Sequence, residues 1–358
     1  MLADATSVHT QRWASYFVQQ GDEVHLITYE APGKPIEGVE LHVVRSMFHS
    51  LYLAFIPRHL RIYFLIRKIK PDIVHAHFIS KFGFHAAFLG FHPVVMSAWG
   101  DDILIIPYWS KFLWYFTKIS LKGADKIYAV SEDMAEKITS NFGIPANNVV
   151  VVPFGVDTEL FQPAIMHKQE SSGRTIVFSN RNFLEVYNIE TLINAIPLVI
   201  EKNINVHFVI KGSGPLEESL KELVSTLNVD EYVTFVGWTE YHNMPEYLHN
   251  CDIYVSTAIS DGTPVSVLEA MACGKACIVT DVGGVSEWIE DDVCGSLIPP
   301  QKPQILAENI LELVRNPAKR EVLGKEAHRI VIERGDWYNI MKWVRDDYKT
   351  LVREHGIQ

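Results

Sequence analysis

The chain has 358 residues, 48% of them hydrophobic and 21% charged, with a formal net charge of -11. That length exceeds one ordinary domain, so two domains are expected, and the acidic balance excludes a general nucleic-acid binder. The four cysteines (Cys251, Cys273, Cys277, Cys294) show neither a disulfide framework nor paired zinc spacing, so they are read as buried thiols in a reducing cytoplasm. No apolar run reaches the ~18 residues of a membrane span, and no secretory leader is read at the start.

In chain order, short β-branched runs alternate with helix-length segments. The predicted strands are 24–29, 41–45, 73–77, 94–98, 126–130 and 149–153, then 175–179, 206–211, 232–236, 253–256, 276–280 and 296–298. Helical stretches between them include 134–141, 189–200, 216–227 and 307–314. This alternation predicts an α/β fold of two doubly wound, Rossmann-like parallel sheets covered on both faces. Residues 1–160 form the expected first domain, the polar run 161–174 a linker and 175–335 the second domain. The aromatic helix 336–358 is expected to pack onto the body, back across the junction. At the front, Met1–Ala3 leaves room for only a very short first strand, and a chain that begins inside a longer native sequence is the favoured reading. Ligands of such sheets collect at the carboxyl ends of strands, so a site in the cleft between the domains is expected.

The most informative stretch is Ser260–Gly274, SDGTPVSVLEAMACG. Asp261 and Glu269 stand eight positions apart across Gly262, Thr263 and Pro264, a turn that opens an apolar helix at Val265. Pro264 suits a first helical turn and Thr263 a cap. The loop and helix dipole then form an anion site flanked by two acids, suited to a diphosphate between two sugars. Arg181 follows one strand in the run SNRN, and Lys211-Gly-Ser-Gly-Pro215 follows another, with Gly212 allowing close backbone approach. Asp281-Val-Gly-Gly284 repeats the strand-then-glycine pattern.

Together these segments resemble the family 4 retaining glycosyltransferases, which have the two-domain GT-B fold. The resemblance runs nearly end to end, from RWASYFVQQGDEVHLIT through DIVHAHF, GADKIYAVSEDMAEKI, PFGVDTELF and SNRNFLEVYNIETLINAI to the DGTPVSVLEAMACG, DVGG and CGSLIPP segments. It implies that Glu269 holds the nucleotide ribose and that Asp261, here shorter than the usual Glu, faces the transferred sugar. It also implies that Thr263, Pro264 and Val265 meet the sugar and diphosphate, that Arg181 binds phosphate, and that Gly237 and Trp238 flank the nucleobase. The family's second phosphate-binding cation, a lysine, is missing where Val186 and Tyr187 stand, which leaves Lys211 as the available substitute. In the first domain, Ser7–Arg12 replaces the glycine-rich loop, with His9 and Thr10 on the acceptor side, and Trp99 replaces a histidine beside Asp101 and Asp102.

Asp102 and His77 join Asp261 and Arg181 as catalytic candidates. His75 and His77 share a strand face, but no carboxylate completes a metal site there, so no metal and no other cofactor is expected. The expected reaction is metal-independent, retaining transfer of a sugar from a nucleotide diphosphate sugar to a glycan or lipid-linked acceptor. A catalytically silent nucleotide-sugar-binding partner subunit and a nucleotide-sugar epimerase of the same fold are the alternatives. Residues 41–71 contain no acid but carry Arg45, Arg58, Arg61, Arg67, Lys68 and Lys70. The basic, aromatic helix 57–70 within that stretch suits peripheral contact with an anionic membrane, at the inner face of a cytoplasmic location.

Overall fold

The computed structural model describes residues 1–46, 51–164, 173–237 and 239–356. The chain divides into two compact units, Met1–Pro153 with Tyr338–Gln358, and Phe154–Trp337.

The first unit contains six parallel strands: β1 (Val24–Thr28), β2 (Val39–Val43), β3 (Val74–His77), β4 (Val94–Ala98), β5 (Lys126–Ala129) and β6 (Val149–Val151). β1 pairs with β2, and β3 to β6 run in sequence order. Leu2 joins the two sets by parallel bridges to Ile27 and Ala76. Its N–H donates to the His75 carbonyl at 2.8 Å, and its carbonyl accepts from the His77 N–H at 3.0 Å. Leu2 thus bridges β1 and β3 at a single residue. The helix Trp337–Glu354 docks on this unit. Arg345 grips Asp22 through two nitrogens, Tyr348 stacks on Phe17 at 5.2 Å, and Asp347 accepts from Lys126 and Tyr128.

The second unit contains β7 (Thr175–Ser179), β8 (Val206–Lys211), β9 (Val233–Val236), β10 (Ile253–Ser256), β11 (Ala276–Thr280) and β12 (Ser296–Ile298). Their spatial order is β12-β11-β10-β7-β8-β9, all parallel. β10 and β11 are buried along their whole length, which is why they read as unbroken apolar runs rather than alternating ones. One core layer packs the helix Ile189–Ile200 and the helix Pro303–Arg315 on the sheet; the other packs Val267, Leu268, Ala270 and Met271 of the helix Val265–Ala272.

The expected linker is corrected in place. Residues 165–172 lie outside the described residues, but Phe161 is fully buried against Tyr241 inside the second unit. Val156 pairs there with Asp336. The units divide at Pro153 and Trp337 instead, because the polar stretch after Phe161 follows a segment already anchored in the core.

Candidate active site

In the second unit, strand order reverses between β7 and β10, and the carboxyl ends of strands at such a switch point form the ligand crevice of doubly wound sheets. Arg181 follows β7 by two residues and Asp261 lies in the loop after β10, so the switch point brings them together. The Arg181 Nη2 donates to Asp261 Oδ2 at 2.7 Å, and Nη1 donates to Ser266 Oγ at 2.7 Å. The guanidinium also lies 4.1 Å from the centre of the Tyr187 ring. Burial opposes its charge, but Asp261, Tyr254 and Tyr187 together outweigh that cost and hold the arginine pKa above its ordinary value.

Two glycines allow this approach. A Cβ on Gly212 would meet the Arg181 carbonyl at 2.4 Å and the Phe183 ring at 2.9 Å. The Phe183 N–H donates to the Ser213 carbonyl at 3.0 Å, locking the two loops together. Gly212 was expected to admit a ligand; the space a side chain would take is filled by the backbone that carries Arg181. Gly283 adopts φ +53°, and a Cβ there would lie 2.0 Å from the Asp261 carbonyl. Only glycine combines that left-handed backbone with so close an approach.

Glu269 is buried on the helix Val265–Ala272, and Lys211 ends β8. Burial lowers the Lys211 pKa and the nearby Glu269 charge pulls it back up, leaving it below the ordinary lysine value. Gly262, Thr263 and Pro264 are buried in the turn, while Val265 and Ser266 are half-buried. One local expectation changes here. The helix begins at Val265, so Pro264 rather than Thr263 occupies the cap position, and no side chain caps it. Gly237 is exposed, with open space where a Cβ would stand; Trp238 lies outside the described residues.

Two contributors escaped sequence reading. Ser266 lies inside the recognised motif but carries no charge to single it out. Tyr187 was noted only as a missing lysine, whereas its ring covers Arg181. The arginine's need for an aromatic face is the signal that would have found it.

In the first unit the candidates behave differently. Asp102 is fully buried, and its carboxylate accepts from three main-chain N–H groups: Ile79 at 2.7 Å, Trp99 at 3.0 Å and Gly100 at 2.8 Å. Burial raises its pKa to about 6 against the opposing pull of those amides. Its oxygens are thus engaged in shaping the loop after β4. His77 is 1% exposed and ringed by Trp13, His75 and Trp99 at centroid distances of 5.1, 4.4 and 4.7 Å. Its Nε2 meets His75 Nδ1 at 3.3 Å, and His75 Nε2 meets Ser97 Oγ at 2.7 Å. Burial, then neighbouring positive charge, drives both imidazole pKa values well down, so both rings are neutral. The His77 ring thus packs directly against Trp99.

Of the acceptor-side residues, Thr10 is fully buried, whereas His9 and Trp99 are half-buried and meet edge-on at 6.0 Å. Burial, then Arg12, lowers the His9 pKa to about 4. A half-buried neutral imidazole beside an indole is an apolar, hydrogen-bonding surface suited to a polyol.

Residues 162–330 match the family described as Glycosyl transferases group 1, and residues 6–160 match Glycosyltransferase Family 4. The chain belongs to the family 4 glycosyltransferases of GT-B fold, and it is a glycosyltransferase. It is 26% identical to an uncharacterized glycosyltransferase of Methanocaldococcus jannaschii, covering 99% of this chain and 96% of that one. It is also 26% identical to a putative teichuronic acid biosynthesis glycosyltransferase of Bacillus subtilis, covering 80% of this chain and 72% of the relative. Among solved structures, the sucrose-phosphate synthase of Thermosynechococcus elongatus superposes with a TM-score of 0.86 at 18% identity, covering 99% and 98% of the two chains. The Anabaena protein HepE, solved with UDP and glucose, superposes with a TM-score of 0.83 at 17% identity, covering 98% of each.

Proposed function

We propose that this glycosyltransferase moves a sugar from a nucleotide diphosphate donor to a glycan or lipid-linked acceptor, with retention and without a metal. The observation that carries the reading is Arg181, held by Asp261 and Ser266 at the switch point of the second sheet. Its two contacts occupy two of five N–H donors, leaving capacity for a diphosphate. Charge developing on the departing diphosphate would be met by Arg181, Lys211 and the amino end of the helix Val265–Ala272. The acceptor oxygen bonds to the anomeric carbon on the face that the diphosphate leaves. The electron pair of the broken bond goes to the diphosphate, and the acceptor proton passes to a phosphate oxygen. Glu269 would hold the ribose hydroxyls.

A membrane-bound acceptor is supported by two helix faces in the first unit that expose apolar side chains. On the helix Leu51–Ile69, Leu53, Ile56, Leu60 and Phe64 are 63%, 61%, 50% and 66% exposed, at helical spacing, ahead of Arg67 and Lys68. On the helix Lys111–Lys122, Phe112, Tyr115 and Ile119 are 61%, 64% and 46% exposed. Phe55 and Phe116 join the two helices at 5.7 Å. Apolar rows bordered by basic side chains suit insertion among anionic lipid headgroups. Among the described residues, no helix is long and apolar enough to cross a membrane.

The deciding experiment is a thermal-shift screen of nucleotide diphosphates and their sugars, followed by transfer assays with Glu269→Ala. Wild-type protein should be stabilised by one nucleotide and transfer its sugar with retained configuration in the presence of EDTA; full turnover by Glu269→Ala would sink the reading. The silent-subunit alternative draws on Tyr187, which covers Arg181 where the resemblance places a lysine. Donor binding without transfer to any acceptor would favour it.

A further inference from the structure

The paired strands β1 and β2 carry the same tripeptide pattern, Glu23-Val24-His25 and Glu40-Leu41-His42. Their parallel register sets His25 opposite Glu40 and Ile27 opposite His42. Alternation turns Leu26, Val39 and Leu41 toward a small apolar core and gathers the acids and imidazoles on the other face. His25 Nδ1 lies 3.0 Å from His42 Nε2, and the two rings stack at 5.3 Å. The Glu40 carboxylate oxygens lie 3.5 Å from His25 Nδ1 and 3.6 Å from His42 Nε2. Glu23 Oε1 takes the other ring nitrogen of His25 at 2.9 Å.

We propose that His25, His42 and Glu40 bind a divalent transition cation of the zinc, cobalt and nickel class, with Glu23 orienting His25. Donors around a tetrahedral ion with bonds of about 2.1 Å stand about 3.4 Å apart, so small ring rotations turn this triangle into a coordination face. The Glu23 carboxylate fixes His25 with its Nε2 proton outward and its Nδ1 lone pair toward the ion, the carboxylate–imidazole–metal arrangement of many sites. Two imidazoles select a borderline cation over magnesium or calcium. His25 and His42 are 16% and 17% exposed and Glu40 is 63% exposed, so water can complete the coordination.

The cluster starts at the amino-terminal half of β1, whereas ligands of parallel sheets bind at the carboxyl ends. It therefore acts as a clip that ties the edge strand β2 to β1. It is independent of donor chemistry.

The test uses tag-free full-length protein, titrated with Co2+ by visible absorption and with Zn2+ by calorimetry and thermal unfolding. One equivalent of Zn2+ should bind and raise Tm. His25→Ala and His42→Ala should abolish the stoichiometric binding, and Glu23→Gln should weaken it about 10- to 100-fold. A second cluster, His92, Asp125 and His355, provides the control, and His92→Ala/His355→Ala should leave this binding unchanged. The proposal is overturned if the wild type binds no stoichiometric Zn2+, if binding survives loss of His25 and His42, or if Mg2+ gives the same shift. Circular dichroism in metal-free buffer checks that each variant folds.

Discussion

The polar candidates of the two units met opposite fates. In the second unit, residues far apart in sequence converge: Arg181, Asp261 and Ser266 make direct bonds, with Glu269 and Lys211 within electrostatic reach of each other. In the first unit, Asp102 and His77 are enclosed and hold the scaffold. The difference lies in what surrounds each group. The arginine of the charged pair at the switch point keeps N–H donors to spare, whereas the carboxylate ringed by main-chain amides serves the loop that carries it.

The sharpest way to break this comparison is Glu269→Ala. Loss of a preorganised site contact should lower transfer by about 10²- to 10³-fold with native circular dichroism; a small effect would remove the second unit's claim to the chemistry. Asp261→Ala should follow with a stability loss of about 3–5 kcal/mol, read by urea unfolding, because it strands the buried Arg181 charge. Gly283→Ala should disturb the same site through the Asp261 carbonyl, with a lowered Tm.

Asp102 tests the other side of the contrast. Its folded pKa of about 6 stands above the unfolded value of about 3.9, so the folded state holds the extra proton between those values. Its contribution is present below about pH 4 and is lost as pH rises to about 6, a change of up to about 3 kcal/mol. Relative to Asp102→Asn, which does not titrate, the wild type should lose stability across that window; a flat difference between pH 4 and 7 would overturn the burial argument. The smallest stability effect belongs to the exposed face. Leu60→Ser/Phe64→Ser should leave stability within about 0.5 kcal/mol while weakening sedimentation with phosphatidylserine vesicles. Equal sedimentation would show that this face is not a lipid contact.

Much of this architecture was legible because parallel α/β units write themselves locally. β4, β7, β8, β10, β11 and β12 match their predicted bounds, since β-branched runs end sharply at glycine, proline or polar residues. The helix Pro317–Arg334 was missed: its apolar residues do not form one strong face, so periodicity carries little signal. The linker was misplaced because polarity after Phe161 masked the burial of Phe161 itself.

The sequence by itself determined the two Rossmann-like sheets, the donor motif and the glycosyltransferase resemblance, because hydrophobic period and short-range turn chemistry are local properties. Only the tertiary structure decided which polar groups are engaged by the scaffold. It packed Gly212 against the backbone that carries Arg181, covered that guanidinium with Tyr187, enclosed Asp102 in amides and brought two Glu-x-His segments face to face. These outcomes depend on strand order and on side chains tens of residues apart, and burial and hydrogen-bond satisfaction are settled only when such partners meet.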